Sequence, residues 1–480
     1  MPGLASSSRQ ELFTLINTVV EGGYCIGCGV CAALPHSPLT MQLDDYGRYQ
    51  ATLPPQGTLS PQEEYQSEQT VPYLSTCPFA EGSANEDELA RDAFGDRCTY
   101  HDQIGYYLET YAGYVAEGDF RGQGSSGGMG TWILAELFRQ NQIDYVVHVQ
   151  QQSEPGDPLF KFQVSSNLDE IRHGAKSRYY PVELSEVLQQ IREQPGRYAI
   201  VGVPCFIKAI RLLAKVDPVI CDRITFCIGL VCGHLKSTRF ADMFAWQCGI
   251  PPGQLQSINF RKKLPGRNAN RYGVEVVGMS NGQQVTVTKP NNEFFGFLWG
   301  HGFFKYQACD FCDDVLAETA DMTVGDAWLP QYVEDSQGTN VLVVRHPLLH
   351  QLLQKGQETG RLQLDLITAQ QVAQSQDAGL RHRREGLAYR LHLKDQAREW
   401  RPQKRLQPSK MRLRPKFRKV HQVRMALAKA SHRAFALAIK NRDFNLFKQA
   451  MEPKIKEYNS ARKPYLWQRL WKKSTIITSK

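Results

Sequence analysis

Short runs of Val, Ile and aromatic residues alternate with segments of helical periodicity through the middle of the chain. Such runs predict β-strands, because branched and aromatic side chains suit the half-buried surface of a sheet. The predicted strands are YAGYVAE (111–117), DYVVHVQ (144–150), RYAIVGV (197–203), ITFCIGLVC (224–232), GVEVVG (273–278) and NVLVVRH (340–346). The predicted helices are TWILAELFRQN (131–141), SEVLQQIRE (185–193) and FIKAIRLLAK (206–215). This alternation predicts an α/β sheet domain, which we place at residues 101–380.

The two ends of the chain follow other patterns. Residues 1–20 carry apolar residues at helical spacing, which predicts a short helix. The segment 53–72 is rich in Pro, Gln and Ser and predicts a surface loop, after which EGSANEDELA (81–90) predicts a helix capped by Ser83 or Asn85. Beyond residue 380 the strand pattern stops. The basic helices predicted there are VHQVRMALAKASHRAFALAIKN (420–441), FNLFKQAMEPKIKEY (444–458) and PYLWQRLWKK (464–473).

The net charge of +9 is divided unevenly along the chain. Residues 381–480 contain 29 Lys and Arg against 6 Asp and Glu, whereas residues 1–380 contain 28 against 42. This asymmetry predicts a basic helical extension at 381–480 that docks on an acidic body. Together with an N-terminal cysteine module at 1–100, we therefore expect three domains.

The composition excludes several classes of protein. Hydrophobic residues make up 42% of the chain, which is ordinary for a soluble globular protein, and no apolar run approaches the ~18 residues of a membrane helix. The N-terminus lacks the basic start and apolar core of a secretory signal. Twelve cysteines without export favour a reducing compartment, so we expect a cytoplasmic protein whose thiols bind metals rather than form disulfides.

The strongest chemical signal is a cysteine pattern near the N-terminus. Cys25, Cys28 and Cys31 are spaced by two residues, and Cys77 precedes a proline. Bacterial ferredoxins hold a 4Fe-4S cluster with this pattern, and the glycines between the cysteines permit a close backbone wrap. In two-cluster ferredoxins the cysteine before proline completes the other cluster, but only one complete set can be counted here. We predict one cluster held by all four; a zinc site or free thiols are the alternatives.

Other cysteines gather around the predicted sheet domain. Cys205 ends a predicted strand, Cys227 and Cys232 lie in FCIGLVCGH, and Cys309 and Cys312 lie in ACDFCDD. A C-x2-C pair with single cysteines at strand ends can form a second four-thiolate site. The chemistry alone leaves zinc and iron–sulfur close to even. Alternation along the strand places Cys227 and Cys232 on opposite faces, and the apolar neighbours of Cys227 favour a buried free thiol.

A Gly/Ser-rich turn, GQGSSGGMGT (122–131), follows a predicted strand and opens a predicted helix. Backbone N–H groups at a helix N-terminus can cradle a phosphate. The turn lacks the G-K-[ST] of a P-loop and the spaced glycines of the dinucleotide fingerprint. By itself it is equally compatible with a flexible loop.

Eight motifs together identify a family resemblance. In chain order they are CIGCGVC, STCPF followed by NEDELA, GSSGGMGT, VGVPCFIKAIRLL, GLVCGH, INFRKK, CDFCDD and ADMTVGDAW. They resemble the beta-subunit family of coenzyme F420 hydrogenases and dehydrogenases, which includes reductases acting on chlorophyll-type substrates, over about residues 20–350. The resemblance implies an iron–sulfur flavoprotein of mixed α+β and α/β class. A ferredoxin-like iron–sulfur module would be joined to an α/β flavin-binding domain and followed by the helical extension.

The resemblance also assigns roles to residues. It implies flavin contacts from the turn residues Ser125, Ser126, Gly127, Gly128 and Thr131. It also implies a second 4Fe-4S cluster, held by Cys205, Cys232, Cys309 and Cys312. Cys227 is the alternative to Cys232 as a ligand of this cluster.

Four further matches have two interpretations each. Lys176 would steady a reduced flavin ring or is a solvated lysine, and Asp326 would help to hold the cofactor or caps a turn. The Arg261–Lys263 run would line the entry of an anionic ligand or is a solvated face. His234 would shuttle protons or is a packed, hydrogen-bonded histidine.

The resemblance implies an oxidoreductase that passes electrons between a one-electron donor such as reduced ferredoxin, the two clusters, FAD and a small organic substrate that the sequence does not identify. FMN in place of FAD, and coenzyme F420 as substrate, are the cofactor alternatives. The functional alternative is an electron-transfer subunit of a larger complex. The basic tail suits contact with a membrane surface or a partner protein, and nucleic-acid binding is the less favoured interpretation.

Overall fold

The computed structural model describes residues 6–54, 70–152 and 158–463. The helices are α1 Ser6–Thr14, α2 Tyr73–Thr76, α3 Glu86–Phe94, α4 Phe120–Gln123, α5 Met129–Arg139, α6 Leu168–His173, α7 Ser185–Glu193, α8 Pro204–Ala214, α9 Pro218–Arg223, α10 Arg239–Gln247, α11 Pro330–Val333, α12 Pro347–Glu358, α13 Ala369–Ser375, α14 Asp377–Arg383, α15 Glu385–Gln396, α16 Pro415–Asn441 and α17 Phe444–Arg462. The strands are β1 Thr40–Leu43, β2 Tyr49–Thr52, β3 Thr99–His101, β4 Gly105–Tyr107, β5 Glu109–Val115, β6 Tyr145–Gln151, β7 Phe160–Ser165, β8 Tyr198–Gly202, β9 Ile224–Leu230, β10 Leu255–Lys262, β11 Gly273–Ser280, β12 Gln283–Pro290, β13 Met322–Asp326, β14 Asn340–Val344 and β15 Leu362–Leu366.

An eight-stranded mixed sheet organises the middle of the chain, in the order β15-β5-β14-β13-β9-β8-β6-β7. Four consecutive strands of it, β13, β9, β8 and β6, are parallel. Strand β14 runs antiparallel to both β13 and β5, so β5 points the same way as β13. The carboxyl ends of β5, β13, β9 and β8 therefore meet at one edge of the sheet. The predicted α/β class is confirmed as a mixed α/β fold.

Helices cover both faces of this sheet. On one face, side chains of β6, β8, β9 and β14 share a core with α5 and α12, in which Trp132 and Leu349 are fully buried. On the other face, the alternate side chains of β6, β8 and β9 share a core with α7, α8 and the N-terminal residues, in which Leu188 and Ile207 are fully buried, and those of β14 share a separate core with α13. Burial on both faces explains the nearly continuous apolar runs of β8 and β14.

The predicted elements are present with small changes of boundary. Helix α7 has the predicted bounds, and α1 continues as a π-helical turn, Leu15–Val20. Asn85, rather than Ser83, caps α3 and forms a capping box with Glu88. Much of the predicted 53–72 loop, and all of the predicted 464–473 helix, lie outside the described residues. The division at residues 100 and 380, and the ferredoxin-like character of 1–100, stay predictions.

Helices α16 and α17 form an antiparallel hairpin that packs on the body of the protein. Phe435 and Phe447 are fully buried in a core that also contains Phe303 and Phe304. The Phe304 N–H donates to Ser431 Oγ at 2.8 Å, which fixes the hairpin against the loop before the CDFCDD motif. In the described ranges no helix is both long enough and apolar enough to cross a membrane.

Candidate functional site

Four cysteines of the N-terminal region, Cys25, Cys28, Cys31 and Cys77, line one small cavity; we call them the first thiol set. The first three lie in the turn after the π-helical segment, and Cys77 directly follows α2. The turn needs its glycines: Gly27 has a φ of +70°, and a Cβ there would lie 2.5 Å from the Tyr49 carbonyl oxygen. The spacing seen in the sequence therefore does bring these four thiols together.

The electrostatics of the first thiol set shows how close its members are. Burial raises the pKa of the Cys28 thiol, and Cys77 and Cys25 raise it further. Burial also raises the pKa of Cys31 well above its ordinary value, with Cys28, Cys25 and Cys77 adding to the effect. Burial raises the pKa of Cys77 to about 11. Without a cation these thiols stay protonated, whereas a bound metal centre takes them as thiolates.

The donors of the first thiol set are of the kind that an iron–sulfur cluster uses. Within residues 6–54, 70–152 and 158–463, no three His, Cys, Asp or Glu side chains are grouped so that they could hold one metal ion. In a cubane cluster each of the four cysteines binds a separate iron atom, so the four thiols do not converge on one ion. Soft thiolates around an enclosed cavity are the donors that iron–sulfur clusters use.

A second group of thiols lies beside the central sheet. Cys205 is the second residue of α8, Cys232 follows the end of β9, and Cys309 and Cys312 lie at the CDFCDD turn; we call them the second thiol set. Burial raises the pKa of Cys205 well above its ordinary value, and Cys312, Cys232 and Cys309 raise it further. Burial raises the pKa of Cys309 to about 12, and the Leu235 N–H donates to its Sγ at 3.2 Å.

Cys227 lies elsewhere. It is fully buried on β9, where burial raises the pKa of its thiol and its charged neighbours are Arg211 and Asp321. Its N–H donates to Asp321 Oδ2 at 2.7 Å. The structure therefore groups Cys232, and not Cys227, with Cys205 and the CDFCDD cysteines.

The two thiol sets are neighbours, and the second reaches a large cavity. Cys28 is among the groups that raise the pKa of Cys205, after burial and the cysteines of the second set. Cys232 lines a cavity of about 290 Å³ at the carboxyl edge of the sheet, which we call the edge cavity. Open α/β sheets bind ligands at this edge.

Most of the residues assigned to the flavin line the edge cavity. They are Ser125, Ser126, Gly128, Thr131, Lys176 and Asp326. Gly127 lies behind the cavity wall, where a Cβ would come within 2.7 Å of the Gly113 carbonyl oxygen and 2.8 Å of Asn340 Oδ1. It therefore shapes the turn rather than facing the cavity.

The Gly/Ser turn is held in place by hydrogen bonds from distant segments. The Met129 N–H donates to Asn340 Oδ1 at 3.1 Å, and Asn340 Nδ2 donates to the Gly325 carbonyl at 2.9 Å. The Ser177 N–H donates to Ser125 Oγ at 2.8 Å. Asn340 was missed at the sequence level, because the polar start of an apolar strand carries no signal of its contact with a turn more than 200 residues earlier.

Cations outnumber carboxylates around the edge cavity. Lys176, Arg178 and Arg261 line it, with Asp326 as the acid among its described lining residues, whereas burial lowers the pKa of Lys236, which also lines it, well below the ordinary value. Asp326 accepts two hydrogen bonds from Arg261, at 2.6 and 2.8 Å, so its role in the structure is to orient that guanidinium. This excess of positive charge suits a ligand that carries phosphate groups.

The cations next to the turn have few partners of opposite charge. Burial lowers the pKa of Lys176, and Arg178 lowers it further. Its backbone has a φ of +97°, a strained conformation for a lysine. Burial lowers the pKa of Arg178 to about 10, and its buried Nε has no hydrogen-bond partner in the described part of the chain. An anionic ligand in the cavity would supply the missing partners.

Lys263 and His234 complete the surroundings of the cavity. Lys263 Nζ donates to the Ser126 carbonyl at 2.9 Å, and burial lowers its pKa to about 8. His234 stacks on Trp299 with ring centroids 4.5 Å apart, and burial lowers its pKa well below the ordinary value. His234 is therefore a packed, neutral imidazole near neutral pH.

The fold thus defines a mixed α/β protein with thiol groups beside a cavity at the carboxyl edge of its sheet. Two family descriptions match this chain, and both concern the beta subunit of coenzyme F420 hydrogenase/dehydrogenase. The description of its N-terminal part matches residues 110–189, and that of its C-terminal part matches residues 196–370. Together they cover more than half of the chain. It belongs to the beta-subunit family of coenzyme F420 hydrogenases and dehydrogenases, which confirms the resemblance in the motifs.

Comparison with solved structures gives a more distant similarity. A chain of the xenon-derivatised F420-reducing NiFe hydrogenase complex from Methanosarcina barkeri is 15% identical, with a TM-score of 0.45. The similarity covers 59% of this chain and 92% of that chain. No curated protein sequence matches the chain.

Proposed function

We propose that the chain is an iron–sulfur flavoprotein oxidoreductase that passes electrons between a one-electron donor such as reduced ferredoxin and a small organic substrate. When bound, two 4Fe-4S clusters supply one-electron chemistry, and a flavin, FAD in the first place, supplies both one- and two-electron chemistry. The observation that carries the proposal is the position of Cys232, which belongs to the second thiol set and also lines the edge cavity.

The two thiol sets would hold the two clusters. Cys25, Cys28, Cys31 and Cys77 supply one complete four-thiolate set, and Cys205, Cys232, Cys309 and Cys312 supply the other. Cys28 is close enough to Cys205 to raise the pKa of its thiol, so the two sets are neighbours. The first set would therefore lie next to the second, whose Cys232 lines the edge cavity.

The Gly/Ser turn and the cations of the cavity would hold the flavin. Ser125, Ser126 and Thr131 offer hydroxyl groups at the opening of α5, where the helix dipole favours phosphate. Lys176 and the Asp326-oriented Arg261 bring positive charge to the cavity wall. A positive charge beside a bound flavin favours a reduced, anionic ring.

Gly128→Ala is expected to abolish most flavin binding and to lower the free energy of unfolding by about 1–2 kcal/mol or more. Gly128 has a φ of +85°, and a Cβ there would lie 2.6 Å from the Phe120 carbonyl oxygen, so the turn must shift. Flavin per chain from the absorbance spectrum, together with urea unfolding, measures both effects. Gly253→Ala is the matched control, because its φ is +82° and no atom lies within 4 Å of the new Cβ. Full flavin content in Gly128→Ala would contradict the assignment of the turn.

The second candidate function is an electron-transfer subunit of a larger hydrogenase or dehydrogenase complex that uses coenzyme F420. The match to beta-subunit descriptions over residues 110–189 and 196–370 favours it. Purification distinguishes the two, since an electron-transfer subunit is isolated together with its catalytic partner, whereas an enzyme turns over a substrate alone. Coenzyme F420 in place of FAD or FMN is identified by extraction and mass spectrometry of the bound material.

The exposed basic side chains of the α16–α17 hairpin are the proposed contact for a donor protein or an anionic membrane surface. They include Lys419, Lys429, Arg433, Lys440 and Lys456. Nucleic-acid binding stays the less favoured proposal, because Phe435 and Phe447 of the hairpin are fully buried and are not available to stack on bases.

Metal and flavin analysis of anaerobically purified protein tests the proposal. We expect about eight irons, about eight sulfides and about one flavin per chain, since each cubane contains four irons. Cys309→Ala should leave about four irons. The control is Cys227→Ala, which removes an equally buried thiol beside Arg211 and Asp321 and should keep all the iron. About four irons in the parent chain would remove the second cluster, zinc in place of iron would remove both, and colourless protein would overturn the whole proposal.

A further inference from the structure

Arg383, the last residue of α14, is a buried cation in contact with the second thiol set. Its side chain is almost fully enclosed, with 2% of the residue exposed. Its Nη1 donates to Cys312 Sγ at 2.9 Å and also to the Asp314 carbonyl. Its Nη2 donates to the carbonyls of Cys232 and Gly233, at 2.9 and 2.8 Å. One guanidinium therefore ties the segment after β9 to the CDFCDD turn.

Arg383 differs from two other buried cations nearby, Lys305 and Arg405, in its lack of an acid. Lys305 pairs with Asp310 at 2.5 Å, and Arg405 pairs with Glu318 at 2.7 Å. In residues 6–54, 70–152 and 158–463, no carboxylate oxygen lies within ion-pair distance of the Arg383 guanidinium, which meets only the thiol and three carbonyls. Unlike Arg345, which is also buried without a carboxylate partner in the described part of the chain, Arg383 touches a thiol, so its charge is stabilised further when that thiol binds a metal centre as an anion.

We infer that Arg383 is the counter-charge of an anionic cluster held by the second thiol set, and that it raises the reduction potential of that cluster. The inference rests on the proposed function. A cubane with four thiolate ligands is negatively charged and becomes more negative when it takes up an electron. A fixed cation hydrogen-bonded to one ligand sulfur stabilises the reduced form more than the oxidised form.

The inference gives the basic extension a chemical role. Arg383 lies beyond residue 370, where the matched family description ends, and within the residues predicted as the extension. Lys404, also from the extension, lies near Asp313, at 3.9 Å, and so already has a carboxylate partner. Arg383 is therefore a positioning residue supplied from outside the matched region to a site inside it.

Stepwise dithionite reduction of the anaerobic full-length chain, followed by low-temperature electron paramagnetic resonance, tests the inference. In Arg383→Gln the ratio of reduced to oxidised second cluster at a fixed potential should fall about tenfold, which is about 59 mV for a one-electron couple. Arg383→Lys keeps the charge without the planar fork and should show a smaller shift in the same direction. The signal that disappears in Cys309→Ala identifies the second cluster.

Arg345→Gln is the matched control, because Arg345 is equally buried and bonds the Tyr106 and Ala320 carbonyls, at 2.7 and 3.0 Å, away from the second thiol set. It should leave both potentials unchanged. Loss of half of the iron in Arg383→Gln, but not in Arg345→Gln, would also support the inference, since the second set would then need its counter-charge to hold a cluster. Full iron with unchanged potentials in both Arg383 variants, or equal iron losses in Arg383→Gln and Arg345→Gln, would overturn it. A parent chain with about four irons would overturn the inference by removing the second cluster, whereas colourless protein would overturn the proposed function itself.

Discussion

Cys28→Ala is expected to remove about four of about eight irons and to stop electron entry from a one-electron donor, while the second cluster and the flavin stay bound. Cys28 is the member of the first thiol set whose carbonyl also accepts a hydrogen bond from the Leu184 N–H, at 2.9 Å. With one thiol missing, the enclosed cavity has no other cysteine to complete the set. Iron analysis, together with the rate of flavin bleaching by reduced ferredoxin, measures both effects.

The control for Cys28→Ala is Cys98→Ala, because Cys98 is half-buried and its Sγ contacts the Arg345 carbonyl at 3.4 Å, apart from either thiol set. This variant should keep all the iron and the full rate of flavin reduction. If Cys28→Ala kept about eight irons, the first thiol set would not hold a cluster. If it lost iron but flavin reduction by ferredoxin were unchanged, electrons would enter elsewhere.

The local elements of this fold follow from local sequence patterns. Helix α7 combines an apolar stripe with buried Val187, Leu188 and Ile191, and the Asn85 cap needs only residues three positions apart. Strands β8 and β14 are apolar on both faces because helices cover both faces of the sheet. These signals lie within ten residues of one another, so that periodicity and capping rules recover them.

The elements missed at the sequence level depend on pairing partners. Strand β15 lies at the edge of the eight-stranded sheet, and β12 lies at the edge of a separate three-stranded sheet of order β10-β11-β12. Exposed polar residues alternate along both strands. Strand β13 is only five residues long and ends in Gly325-Asp326, which looks like a turn. Their stability comes from hydrogen bonds to distant strands, which the local pattern does not contain.

The same distinction applies to the site. The first thiol set could be predicted from spacing, because three of its four cysteines lie within seven residues. The second set comes together because β8 and β9 are neighbours in the sheet and carry Cys205 and Cys232 to the same edge. The family motifs contain these cysteines. Asn340 and Arg383 lie in no motif, and each bonds a residue more than 70 positions away in the chain, so no sequence signal indicated their contacts.

The charge asymmetry of the sequence predicted that the extension docks on the body, but not that its contacts are buried. Arg405 follows α15, and its side chain contacts both α3 and the CDFCDD segment. Only 6% of that side chain is exposed. It donates to Asp87 Oδ1 at 2.5 Å, to Glu318 Oε2 at 2.7 Å and to Asp313 Oδ2 at 3.3 Å. The extension therefore joins the N-terminal region and the sheet domain at one point.

Arg405→Met is expected to lower the free energy of unfolding by about 3–5 kcal/mol, because it removes the cation shared by the buried carboxylates of Glu318 and Asp313 and leaves them only Arg384 and Lys404 as ion-pair partners within the described residues. Burial alone would raise the pKa of Glu318, but Arg405 and Arg384 hold it below its ordinary value. The stabilisation is therefore present above the ordinary carboxylate pKa of about 4.3 and is lost as the pH falls below it. Urea unfolding at neutral pH and below pH 4 should show a large difference from the parent chain that shrinks in acid.

Arg401→Met is the control for Arg405→Met, since it removes another arginine of the extension. Arg401 pairs with Asp395 at 2.7 Å, but 23% of its side chain and 43% of that of Asp395 are exposed. Solvent screens such a pair, so its loss should cost less than about 1 kcal/mol. Equal effects of the two variants would show that the Arg405 network contributes no more than a surface ion pair. The extension would then be held mainly by apolar packing, such as the core around Phe435 and Phe447.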